Sequence, residues 1–371
     1  MNKFLFILIL TSVTLSCGSS KNIEPDIRTT AVTTGREDLQ RSTLKLLAFQ
    51  TIVPMYQQFY NDAAQLNRQV SAFCLKPNRQ LLETVKRSWG QTLGSWQQTD
   101  ALLFGPAIED QLDFSIYFYP VKKSIINRIL NGQNNITVAN VEQAGVAGQG
   151  LAAIEFLLFD RELSNQNIFE QFLKENGKRR CAYLIAMAIL IEQHAQKIYD
   201  GWHPALGNYA EAFSRAGLDS LIYTESEQPW AEFTNKIFQS AEKISSSRLA
   251  IPLGKKNAPS IKPYKLEAWR SGHTLANILS SLKGLEKLFN DGLLNWLIQN
   301  GHRATAEKLT QAFVTINQEK IPQTNLFVLL QSNSNKIESF YQNTRKLTQI
   351  IKNDFADAMG VQIGFNDNDG D

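Results

Sequence analysis

From Glu37 onward the apolar positions fall at helical spacing. Leu39, Leu46, Leu47 and Val53, with Thr43 among them, open a pattern that runs past Pro54 to about Phe73. Pro54 is expected to kink this helix rather than end it. A second helix is predicted over Leu81–Leu103, with Val85, Trp89 and Trp96 along one side, and a third over Pro120–Leu130, with proline in the permitted first turn. Thr137 reads as the N-cap of a short helix ending at Gln143. Phe169–Trp202 reads as one long helix around the apolar run Cys181–Ile191, and Trp230–Arg248 as another. Leu275, Ile278, Leu279, Leu282, Leu285, Phe289 and Trp296 then recur at helical spacing, as do Ile337, Phe340, Tyr341, Thr344, Leu347, Ile351 and Phe355. No stretch sustains a two-residue alternation, so almost no sheet is expected. The predicted fold is all-α: two four-helix-bundle-like halves packed against each other. The weakest helical signal, 203–228, divides an N-terminal bundle (36–215) from a C-terminal one (216–371).

Composition agrees with a packed protein. Of 371 residues, 43% are hydrophobic and 20% charged, which excludes a disordered chain. A formal charge of +3 is too small to suggest nucleic-acid binding. The basic residues do concentrate locally: 249–266 holds three prolines and four lysines and is predicted to be a long loop.

The first residues carry targeting information. Met1-Asn2-Lys3 precedes the apolar run Phe4–Leu10, and small residues follow to Cys17 and Gly18-Ser19-Ser20. Residues 1–16 are expected to be a secretory signal peptide, and 17–35 a tether lipidated at Cys17. The pattern resembles a bacterial lipoprotein signal, although Thr14 stands where an aliphatic residue is usual. By the same resemblance, Gly18 suits an outer-membrane lipoprotein facing the periplasm, held to the membrane by its lipid. Export leaves Cys74 and Cys181 in an oxidising compartment. Spacing alone allows either a disulfide or two separate buried thiols. Their placement at a helix end and a helix start favours the bond.

Several segments, in order, resemble the imelysin-like proteins. Gly148-Gln-Gly-Leu-Ala-Ala-Ile-Glu155-Phe-Leu-Leu-Phe is similar to that family's G-x-H-x-x-E motif and the apolar run after it. Phe104-Gly-Pro106 and Asp113-Phe-x-x-Tyr-Phe-Tyr-Pro120 resemble its F-G-P and D-x-W-P elements. Arg248-Leu-Ala-Ile-Pro-Leu-Gly254 and Glu267-Ala-Trp-Arg-Ser271 resemble its C-terminal half, and Ile363–Asp371 the tail of its proteobacterial lipoprotein branch. The resemblance implies an exported helical protein linked to iron regulation and uptake, with envelope iron-uptake proteins as partners. One relative gave the family its peptidase name.

The chain departs from the motif at one position. With Gly150 and Glu155 aligned, Ala152 stands at the histidine position. His and Glu three apart on a helix face can grip a metal; alanine has no lone pair, and a hydrolytic zinc needs about three protein ligands. The expectation is therefore a non-catalytic protein that binds a divalent or ferric metal ion, or a small ligand, between its bundles. A metallopeptidase and an envelope scaffold are the rival readings. Glu155 is the candidate metal ligand and the centre of the site, joined by Gly150, by Arg270 and Ser271 from the second half, and by Glu109 and Asp113 as further oxygen donors. His194 reads as a hydrogen-bonded surface residue and His273 as a helix-start residue. The tail Asp367–Asp371 is too short for a calcium loop and is expected to dock through Phe365.

Overall fold

The computed structural model describes residues 27–159, 164–256, 260–321 and 325–364. The expected signal peptide, Cys17 and the tail from Phe365 lie outside them. Among the described residues every regular element is helical. The N-terminal half contains α1 (Ile27–Leu47), α2 (Val53–Leu75), α3 (Arg79–Gln98), α4 (Leu112–Ile116), α5 (Lys123–Asn131), α6 (Val138–Gln143), α7 (Gly150–Leu158), α8 (Asn165–Leu173), α9 (Gly177–Trp202) and α10 (Tyr209–Ser214). The C-terminal half contains α11 (Glu227–Glu242), α12 (Thr274–Leu288), α13 (Leu294–Gln299), α14 (Arg303–Asn317), α15 (Leu326–Asn333), α16 (Glu338–Ile350) and α17 (Ala356–Met359).

Local chemistry accounts for several boundaries. The Asn78 side chain accepts from Leu81 N at 2.9 Å and starts α3, and Thr137 Oγ1 accepts from Asn140 N at 3.2 Å to start α6. Pro54 breaks nothing. A π turn at Ala48–Ile52 precedes it, and the chain stays helical into α2.

The elements differ from the expected ones at several points, α3 among them, which ends at Gln98 and not at Leu103. Residues 27–35, predicted to be tether, are the first turns of α1. Pro120 is not in a first turn: it follows a cis peptide bond, and α5 starts at Lys123. The long helix expected over Phe169–Trp202 is two helices, because the polar Lys174–Asn176 turn separates α8 from α9. The short α10 lies inside the stretch of weakest helical signal.

Helices α2, α3, α7 and α9 pack as the N-terminal bundle, and α11, α12, α14 and α16 as the C-terminal one. Cys74 near the end of α2 and Cys181 near the start of α9 form a disulfide, with Cα atoms 5.5 Å apart. Helices of the two halves also pack directly on one another. Helix α12 lies along α3, where a Cβ on Gly284 would overlap the Gln98 carbonyl. Helix α1 and its π turn reach the other half, where Thr51 Oγ1 donates to Asp291 at 2.8 Å. A single connected apolar core runs through both bundles. Phe104, of the F-G-P segment, is part of it, packed against Trp202, Phe213 and Phe233.

Candidate functional site

Glu155 is a carboxylate in a helix that is otherwise apolar. Helix α7 begins at Gly150, whose φ is +81°. A Cβ there would come within 2.6 Å of the Ile116 carbonyl oxygen and 2.7 Å of that of Ser115. Gly150 therefore serves backbone approach, not ligand contact.

One helical turn later Glu155 is 1% exposed. Its Oε1 accepts the Ser271 N–H at 2.8 Å and the Ser271 hydroxyl at 2.9 Å. Burial raises the Glu155 pKa, while the Ser271 bonds and the Arg270 charge work the other way and leave it still above the ordinary value. The Arg270 guanidinium lies over the Trp269 ring at 4.4 Å and the Phe156 ring at 5.3 Å. The structure thus brings Glu155, Arg270 and Ser271 together across the interface of the bundles.

Glu109 and Asp113 sit elsewhere. Glu109 is exposed near Tyr209, and Asp113 faces Lys236 and Lys243. Among the described residues no hydrogen bond joins either to Glu155.

A second buried network lies beside the first, built from residues that sequence reasoning did not single out. Arg248 is 1% exposed. Its guanidinium donates to Asp100 at 2.6 Å, to Ser281 at 2.6 Å, to Glu267 at 3.0 Å and to the Gln97 side-chain oxygen. Burial disfavours the Asp100 carboxylate. Arg248, then Lys243 and the Ser281 hydroxyl, outweigh that and hold its pKa at about 2. The two networks share one segment. Arg248 grips Glu267 at its start and Glu155 grips Ser271 at its end, so 267–271 is a strap latched at both ends. Arg248 and Glu267 each stand first in a segment that carried the family resemblance. That was the available signal.

Between the networks the Tyr117 hydroxyl is buried without a hydrogen-bond partner among the described residues, near Glu155 and Glu267. Tyr119 donates to the Leu266 carbonyl at 2.6 Å. Outside the strap opens a cleft of about 720 Å³. Tyr119 and Pro120 from the N-terminal half face Ile251 and Tyr264 from the C-terminal half. Lys256, Lys262 and Lys265 also line it, as does Glu267.

The residues around Glu155 do not fit a metal ion. Glu155 Oε1 already takes two hydrogen bonds from Ser271, which leaves at most one carboxylate oxygen for a metal. Ala152, buried one turn earlier, supplies no donor. Among the described residues no three His, Cys, Asp or Glu side chains come together as a ligand set. Neither histidine of interest completes one. His273 sits at the start of α12, edge-on to Trp89 with ring centroids 5.1 Å apart, and burial lowers its pKa. His194 is not the surface residue expected: it is buried on α9.

Comparison with known proteins follows the same lines. The family model described as Imelysin matches residues 52–349. "Iron-regulated protein A" of Synechococcus elongatus is 23% identical over 290 residues, covering 76% of this chain and 75% of that protein. An imelysin-like protein from Psychrobacter arcticum superposes with a TM-score of 0.72 at 18% identity, covering 89% of this chain and 98% of that one. A structure described as a putative iron-regulated protein A precursor, from Parabacteroides distasonis, gives a TM-score of 0.65 at 16% identity, covering 86% and 95%.

Proposed function

The chain belongs to the imelysin family, and on that premise we propose that it is an exported, lipid-anchored, non-catalytic binding protein that holds a small anionic ligand between its two bundles. The observation that carries this reading is the cleft itself. Its walls come from both halves, and it lies over a strap fastened by Glu155 and Arg248. A volume of about 720 Å³ is in the usual range for small-molecule sites. Three lysines favour negative charge, and Tyr119, Tyr264, Pro120 and Ile251 favour an apolar body beside it. The strap is the positioning element, because Glu155 holds the loop that shapes one wall.

The relatives' names link two of them to iron regulation, and the ligand belongs to iron handling. A bare ion lacks a donor set around Glu155. An iron cargo suited to this cleft is instead an anionic chelate, whose own oxygens satisfy the metal. Non-catalysis rests on Ala152, which leaves the motif one donor short. Anchoring at Cys17, outer-membrane location facing the periplasm and iron-uptake partners belong to the same reading.

The test is calorimetric titration of the mature protein with ferric citrate, citrate and ferric ion alone. Saturable binding of the anions, lost in Lys262→Ala/Lys265→Ala, is expected. Binding of ferric ion alone that survives this double substitution overturns the reading, and so does binding of none of the three. Detergent-phase partitioning that is lost in Cys17→Ala tests the anchor.

A further inference from the structure

A second cavity, of about 490 Å³, opens between α4, α6 and α9 and shares no lining residue with the interface cleft. Two nearly buried polar side chains line it and are unsatisfied. Gln149 is 3% exposed and its Oε1 has no partner among the described residues. His194 is 9% exposed and its Nε2 has none either. A buried polar atom without a partner is costly. Two in one cavity point to a bound group that completes them.

The rim is strained as well. Asp110 and Gln111 adopt left-handed φ values of 50° and 57°, which non-glycine residues take at a cost and which concentrate at binding sites. That turn sets Asp110 against Lys197.

The chemistry of the lining narrows the ligand. The cation of the rim, Lys197, is already neutralised by Asp110, and Glu142 adds negative charge, so an anion is poorly served. Burial lowers the His194 pKa and so disfavours its charged form. No set of three metal-donor side chains forms among the described residues. What remains is an amide oxygen that needs a donor and an imidazole nitrogen that either donates or accepts a hydrogen bond. Hydroxyl groups both donate and accept, and match the pair whichever tautomer His194 holds. A volume of 490 Å³ is far more than the ~30 Å³ share of a single water.

We propose that this cavity is a second binding site, for a small neutral polyhydroxylated molecule whose hydroxyls pair with Gln149 Oε1 and His194 Nε2. The probe is myo-inositol, titrated into the mature protein by calorimetry alongside inorganic phosphate and zinc ion. Saturable inositol binding is expected, weakened at least tenfold by Gln149→Leu and by His194→Phe, and unchanged by Lys262→Ala in the interface cleft. Should either variant fail to fold, the imidazole nitrogen resonances of the wild type decide, with His194 expected to shift on saturation. Absence of inositol binding, tighter binding of phosphate or zinc, or an inositol effect that leaves His194 unmoved overturns the proposal.

Discussion

Ser271 gives both its backbone N–H and its hydroxyl to a single carboxylate oxygen of Glu155, a residue 116 positions earlier in the chain. The bond closes the seam between the two bundles, and it explains why a carboxylate is kept in an apolar helix. It also separates charge from acceptor. An uncharged group that still accepts two hydrogen bonds preserves the geometry.

Glu155→Gln is therefore expected to change stability by less than about 1 kcal/mol at neutral pH, because the amide oxygen keeps both bonds and a costly buried charge is gone. Glu155→Ala leaves the Ser271 N–H without its acceptor and is expected to cost about 1–3 kcal/mol. Urea denaturation of both variants checks this. Equal losses would mean that the charge itself, not the acceptor, holds the strap.

Arg248→Ala is expected to destabilise the fold by about 3–5 kcal/mol, because Asp100 and Glu267 lose the guanidinium that joins them and only Lys243, 3.4 Å from Asp100, remains as a cation there. Arg248→Met combined with Asp100→Asn should recover part of that loss. A double variant no more stable than Arg248→Ala would argue against charge abandonment as the cause.

The pKa of Asp100, held at about 2 against an ordinary 3.8, makes a pH prediction with a definite sign. A depressed carboxyl stabilises the fold fully above its unfolded value, and the contribution is lost as pH falls through about 2. It amounts to roughly 2–3 kcal/mol. Unfolding free energy measured from pH 5 down to pH 2 should fall more steeply for the wild type than for Asp100→Asn. Parallel curves would remove Asp100 from the acid transition.

Gly150→Ala is expected to cost about 2–3 kcal/mol, since φ of +81° is strained for alanine and the new methyl would press on two carbonyl oxygens. The melting temperature of the purified variant reports it. A neutral result would mean that the Ser115–Ile116 backbone yields.

Removing the disulfide by Cys181→Ser is expected to lower stability by about 3–5 kcal/mol, because it frees a loop of 107 residues in the unfolded chain. Reductant should destabilise the wild type and leave the variant unaffected. If reductant changed neither protein, the bond would carry no stability.

What the sequence determined by itself is what depends on neighbours along the chain. Apolar spacing marks α2, α3, α11, α12 and α16, because a helix that buries one face must repeat at 3.6 residues. Thr137 marks the start of α6, because a cap acts within three residues. The same locality explains the misses. The apolar content of Phe169–Trp202 looked continuous, yet the three-residue Lys174–Asn176 turn divides it, and turns so short barely disturb a periodic pattern. The partners of buried charge belong to tertiary structure alone. Arg248 meets Asp100 across 148 positions, and no spacing rule reaches that far. His194 looks solvated beside Glu192, Gln193 and Gln196, but packing of α9 against its neighbours takes its ring out of water. Glu155 stood out in the sequence as an anomaly; only the fold could supply the serine that satisfies it.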